Sequence, residues 1–234
     1  MRIRRWRRTY LAAEYVTVFF GGAALYRGAA LYRTRLRGVP PIPGLLLAGA
    51  GLTAYLRRAP DFDRRALWRA EALPGQGRAL AATTASSALA LTALTALIRR
   101  DRLFDLPRQR PWLWSAVMLA YPVLSVYPQE LIFRSFLFHR YEPVFGKHIV
   151  AASAAAFGIV HLAFGGWISV ALSGVAGRLL AERYLRTRSL ATVTVEHSLY
   201  GMLVFTVGLG EFFYHGSAGQ RPGFALPGDS DMRA

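Results

Sequence analysis

Cysteine is absent from the 234 residues, and lysine nearly so: of 29 basic side chains only Lys147 is a lysine. The first absence excludes disulfides, thiol nucleophiles and Cys-ligated metals. The dominance of arginine suggests a GC-rich genome. Charge itself is scarce, at 18% of residues against roughly 25% in a soluble domain. Acids are scarcer still, 13 in all, which leaves a net charge of +16. The 53% hydrophobic content and mean hydropathy of +0.26 exclude a disordered basic tail. A sequence pI near 11.2 fits a nucleic-acid binder on charge alone, so the placement of the charges has to decide.

Charges are missing from four long windows: Gly38–Leu56, Ala79–Ile98, Pro111–Gln129 and Ile149–Gly177. A bilayer crossing needs about 20 mainly apolar residues. The arginines cluster between windows, at Arg2–Arg8, Arg27–Arg37, Arg57–Arg78 and Arg99–Arg110, where they meet headgroups and loops. Windows that separate the clusters leave no single basic face, so lipid is the expected partner and nucleic acid is not. The expected fold is all-α, a polytopic integral membrane bundle of seven or eight helices. Spans are expected near 9–26, 39–56, 79–98, 116–140, 148–164, 167–185 and 190–210, with the N-terminus inside. Glu14 interrupts the first apolar run, so that run reads as a retained span rather than a cleaved leader. Three regions follow: an N-terminal membrane region 1–110, a helical core 111–215 and a polar tail 216–234. Pro122 and Pro128 are expected to kink the fourth span, Tyr141–Lys147 to form a turn, and Gly165-Gly166 to split the fifth span from the sixth.

Ionisable groups inside lipid are costly and often functional. Glu130 and Arg134 are four apart on one helix face, in the favourable acid-first order. Phe157 and His161 are also four apart, so the ring can wall the imidazole. Counted along the helices from one membrane face, Glu130 lies about 16 Å deep, His161 about 21 Å and His197 about 13 Å. Three expensive groups at comparable depth on three helices fit a site built between facing helices. A carboxylate near two imidazoles can activate a water, or hold zinc as His2Glu. No HExxH helix supports the zinc version, so no cofactor is required, and Glu130, His161 and His197 are the ligands if a metal is present. A proton-relay transporter would want internal repeats, and none is visible. Glu196 is expected to pair with Arg178 or Arg183, Arg178 with Glu182, and Trp112, Trp114 and Trp167 to form an aromatic belt.

The stretches YPQELIFRSFLFHRY at 127–141, FGIVH at 157–161 and GRLLAERYLRTRSLATVTVEHSLYG at 177–201 resemble the CPBP family. These are the CAAX-protease and bacteriocin-processing membrane endopeptidases, related to the Ras-converting prenyl protease. The family pattern is Glu-Glu-x-x-x-Arg, then Phe-x-x-x-His, then His-x-x-x-Asn or a similar polar residue in the last place. The resemblance covers about 85 residues. It implies a helical bundle with a conical cavity and peptide-bond hydrolysis by a Glu/His-activated water. It further implies a membrane-bound peptide or protein as substrate, and a prokaryotic plasma membrane as location. By motif position Glu130, Arg134, His161 and His197 carry the catalytic roles, with Gln129, Phe157, Ser198 and Gly201 in support. Two positions depart from the pattern. Gln129 stands where the family's first Glu is commonly assigned as base, and an amide accepts no proton usefully. Either Glu130 turns from Arg134 toward the histidines and serves instead, or the base is lost. Gly201 stands where the family has Asn, a donor to the developing oxyanion; Ser198 or Tyr200 replaces it only if it points inward. The alternative to an enzyme is a catalytically impaired scaffold or immunity-type protein of the same fold.

Overall fold

The computed structural model describes residues 5–31, 41–164 and 166–213. The expected tail 216–234 and Gly165 of the expected split lie outside them. Among the described residues the protein is helical throughout, with no strand. The helices are α1 (Arg5–Tyr15), α2 (Gly22–Leu31), α3 (Pro41–Arg58), α4 (Gly77–Ile98), α5 (Asp105–Gln109), α6 (Pro111–Tyr121), α7 (Tyr127–Glu130), α8 (Leu137–Phe145), α9 (Ile149–Val160), α10 (Trp167–Thr187) and α11 (Leu190–Val207).

Among the described residues three helical stretches are long and apolar enough to cross a membrane: Ala70–Ile98, Pro111–Ala163 and Leu190–Val207. They support an integral-membrane location. The first is nearly all turned outward, whereas two-thirds of the last is buried in the protein. α11 is therefore the central helix, with α4 and α10 packed on it.

The prolines are accommodated within helix. Pro41 and Pro43 sit in the first turn of α3, where a missing N–H costs nothing. Pro122 and Pro128 do not break the fourth span. Helix runs continuously from Pro111 to Phe145 through two π-helical stretches, Pro122–Val126 and Leu131–Phe136, and wider π turns absorb what an α turn cannot. The expected turn over Tyr141–Lys147 is mostly helix as well, since Pro143 lies inside α8. The reversal waits for Gly146, whose φ of +51° falls in the region that favours glycine.

α9 and α10 form the tightest pair, a hairpin closed by small residues. A Cβ on Gly158 would meet the Gly174 Cα at 3.2 Å and the Val170 carbonyl at 3.3 Å. Both are backbone atoms, so no flexible side chain can give way. Gly158→Leu is expected to lower stability by about 1–3 kcal/mol through overpacking, read as an earlier midpoint when the detergent-solubilised protein is titrated with SDS. The same hairpin presses Gly177 onto the Phe157 ring, where a Cβ would come to 3.1 Å.

The core is aromatic where the helices meet. Tyr15, Phe19, Phe133, Tyr141 and Phe157 are all buried and pack through tilted or edge-on contacts with centroids 5.1–6.2 Å apart, a favourable range for ring pairs. Bidentate ion pairs tie distant segments together. Arg140 donates to both oxygens of Glu14 at 2.8 and 2.7 Å, and Arg188 to both oxygens of Glu142 at 2.9 and 2.7 Å. Of the expected belt, Trp112 and Trp167 are exposed. Trp114 instead donates its indole N–H to Thr206 at 3.0 Å, a tie between α6 and α11.

α11 is set with particular care. Ser189 caps its start, accepting from the Thr192 N–H at 3.1 Å while donating to the Arg69 carbonyl at 2.7 Å. Such a cap contributes about 1 kcal/mol. Of the two arginines expected for Glu196, the structure selects Arg183, which donates to both carboxylate oxygens at 2.9 Å. Tyr200 and Thr83 donate to the same carboxylate, at 2.8 and 3.2 Å. Arg178 pairs with Glu182 at 3.0 Å on the surface.

Candidate active site

Glu130 is the last residue of α7, between the two π-helical stretches, and is fully buried. Its carboxylate serves two partners at once. One oxygen, Oε1, accepts from His197 Nδ1 at 2.8 Å. The other, Oε2, lies 3.1 Å from Arg134 Nε, also fully buried. Glu130 therefore does not choose between the arginine and the histidine. Arg134 neutralises it, and its Nη1 donates to Ser153 Oγ at 2.8 Å, which locks the guanidinium against α9. Burying this charge without its counter-charge would be costly.

The carboxylate fixes the histidine tautomer. A carboxylate only accepts, so His197 Nδ1 must donate. In the neutral ring Nε2 is then the acceptor, the atom able to take a proton from a water. This is the carboxylate–imidazole unit that serves as general base in hydrolases. The Tyr121 hydroxyl lies 3.3 Å from Nε2.

His161 closes α9, and its Nδ1 donates to the Phe157 carbonyl one turn back at 2.7 Å, so Nε2 is its acceptor atom too. The two imidazoles meet the same Phe157 ring, with centroids 4.7 Å away for His161 and 5.3 Å for His197. The Arg134 guanidinium carbon lies 5.0 Å from that ring's centroid, within cation–π range. Phe157, expected only as a wall for His161, is thus the common packing surface of the whole cluster. Both histidines are more than nine-tenths buried.

The supporting residues divide. Gln129 is half-buried and donates its amide to Ser125 Oγ at 2.7 Å; neighbours on a helix diverge by about 100°, and it takes no part in the Glu130–His197 contact. Ser198 donates to the Thr194 carbonyl of its own helix at 2.6 Å, and Tyr200 points to Glu196. Neither turns inward to fill the gap at Gly201. Tyr121 fills it instead. A Cβ on Gly201 would stand 2.2, 2.4 and 2.5 Å from the Tyr121 Cε1, Oη and Cζ. Sequence spacing conceals this residue. Nine positions on a regular helix put Tyr121 and Glu130 on opposite faces. The π-helical stretch Pro122–Val126 between them takes up an extra residue, about 100° of rotation, and swings the phenol round.

The proposed zinc ligands do not fit a zinc centre. Among the described residues no group of three His, Asp or Glu side chains is arranged to hold a metal ion. Glu130 and His197 bond each other, and the Arg134 cation sits on the carboxylate's second oxygen. A cavity of about 550 Å³ lies elsewhere, lined by Asp61, Phe62, His139, Glu142, Tyr184 and Arg188 among others.

A family model described as type II CAAX prenyl endopeptidase, Rce1-like, matches residues 111–203. The match covers less than half of the chain and includes every residue of this cluster, Tyr121 among them. No curated protein and no solved structure matches the chain.

Proposed function

We propose that the protein is a polytopic membrane endopeptidase of seven or eight spans in a prokaryotic plasma membrane. It hydrolyses a peptide bond of a membrane-associated peptide or protein with a water activated at His197. The observation that carries this reading is the 2.8 Å bond between fully buried Glu130 and His197 Nδ1, inside the segment that the endopeptidase family model matches. Nothing in a structural ion pair requires a third partner of this kind, since Arg134 alone would neutralise Glu130.

In this reading His197 Nε2 takes a proton from water as the water oxygen attacks the carbonyl carbon. Glu130 acts through His197: it orients the ring and stabilises the imidazolium, a positioning role. His161, on the other side of Phe157, donates to or orients the reacting groups. The departing amide nitrogen takes the proton back from His197. Gln129 has no part in proton transfer.

A second reading is a scaffold that has kept the bundle and lost the chemistry. It is favoured by Gln129, which spends its amide on Ser125, and by Arg134, which holds one oxygen of the Glu130 carboxylate.

The test is cleavage of a palmitoylated, internally quenched peptide library in vesicles that contain the purified protein. Cleavage is expected for the wild type. His197→Ala and His161→Ala are each expected to lower it by at least about 10²-fold with unchanged accumulation in the membrane. An intact library after incubation with wild type favours the scaffold, and full activity in His197→Ala excludes this site.

A further inference from the structure

We infer that Tyr121 is a catalytic residue of this site, donating a hydrogen bond from its hydroxyl to the oxyanion that forms on the scissile carbonyl. The inference rests on the endopeptidase reading and adds a residue that no sequence motif contains.

The geometry comes first. Tyr121 ends α6, nine residues before Glu130 on the same continuous helical run and on a different helix from His161 and His197. Its ring stands edge-on to the His197 imidazole, 6.1 Å between centroids and 84° between planes, and is braced from another side by Phe205 at 5.5 Å. Its hydroxyl sits against Nε2, the nitrogen left as acceptor once Glu130 has claimed Nδ1. The resting O–H therefore points at the atom that must later receive the proton of water. At 3.3 Å this contact is long beside the 2.7–3.0 Å of a good hydroxyl hydrogen bond, so little is lost when the hydroxyl turns away.

Gly201 is the second observation. His197 and Gly201 are four apart on α11, stacked on one face. The phenol occupies the volume that any side chain at 201 would enter, where a Cβ would stand only 2.2–2.5 Å from its atoms. The absence of a side chain there is what lets a hydroxyl from α6 reach the imidazole.

The chemistry balances. Water approaches Nε2 and displaces the phenol as its hydrogen-bond partner. The water oxygen forms a bond to the carbonyl carbon while Nε2 takes one proton. The carbonyl π electrons move to oxygen, and the Tyr121 O–H, rotated about Cζ–Oη, donates to that oxygen without transferring its proton. Collapse re-forms C=O, the C–N bond breaks, and the amine leaves with the proton from Nε2. Peptide and water give acid and amine, with Tyr121 unchanged.

Tyr121→Phe keeps the ring and removes only the donor, which separates chemistry from packing. With the palmitoylated quenched library in vesicles, kcat is expected to fall about 10²–10³-fold, as for loss of a single oxyanion donor, with KM within about twofold and the SDS unfolding midpoint unchanged. Gly201→Ala, which evicts the phenol, is expected to lower kcat likewise, and Tyr121→Phe/Gly201→Ala to be no slower than the slower single variant. Tyr121→Phe within about threefold of wild-type kcat, while His197→Ala is inactive, overturns the donor role and leaves the endopeptidase reading standing. A fall carried by KM alone, or by a lowered unfolding midpoint, also overturns it in favour of packing. A wild type that leaves the library intact removes the endopeptidase reading and the donor role together.

Discussion

Glu130→Ala is expected to cost about 3–5 kcal/mol of stability as well as silencing the protein, the figure for stranding one partner of a buried ion pair. Arg134 has no solvent to fall back on. It is fully buried, and its Nη2 has no hydrogen-bond partner even in the wild type. Removing the carboxylate leaves a cation held only by Ser153, the Phe133 carbonyl and the Phe157 ring. His197 loses the acceptor that sets its tautomer, so the proton-accepting nitrogen is no longer specified. The two effects can be separated. Replacing the pair together, as Glu130→Leu/Arg134→Met, removes both buried charges and is expected to restore most of the stability. Activity is expected to stay absent. The SDS unfolding midpoint and the cleavage rate, read on the same two variants, check this. A double variant that regains cleavage would show that Glu130 is only a counter-ion for Arg134.

Arg183→Met is expected to cost a similar amount, about 3–5 kcal/mol, and to disable a site it never touches. Glu196 is fully buried, and among the described residues Arg183 is its salt-bridge partner. Tyr200 and Thr83 also donate to that carboxylate, and Arg183 reaches on to Gln76 at 2.8 Å. The cluster thereby clamps α4, α10 and α11 at the residue before His197. The control is Arg178→Met on the same helix. Its pair with Glu182 is largely exposed, and exposed pairs contribute about 0–1 kcal/mol. Equal midpoints for the two variants would mean that the cluster does not hold the bundle together.

The sequence shows which side chains are out of place in lipid, and the structure shows what each is placed against. The Glu130–Arg134 pair was legible because four residues on a helix share a face, whatever surrounds them. Phe157 beside His161 was legible for the same reason. The contact between Glu130 and His197 was foreshadowed by comparable depth and by the family resemblance, neither of which says anything of direction. Tyr121 escaped because a π-helical stretch breaks the 100° arithmetic on which face assignments rest. Pro143 was misread because its place inside α8 depends on tertiary support that no local rule contains. Glu14 with Arg140, and Glu142 with Arg188, were invisible as pairs: each member alone reads as a charge near a span end. The expected spans also map unevenly. Pro111–Ala163 holds two of them in one apolar stretch, while α10 carries Arg178, Glu182 and Arg183 within its length.

The ion pairs also differ in when they can form. A chain made from its N-terminus folds in that order. Glu14 emerges 126 residues before Arg140, and Glu142 46 residues before Arg188. Until those partners are synthesised, the early acids have water and headgroups as their surroundings. Glu130 has no such wait. Its arginine follows four residues on, so the acid at the centre of the site can be neutralised as soon as its own helix winds. His197 arrives 67 residues later and docks onto a carboxylate that is already in place. The site is therefore assembled around Glu130 outward, and α11 is the helix that completes it.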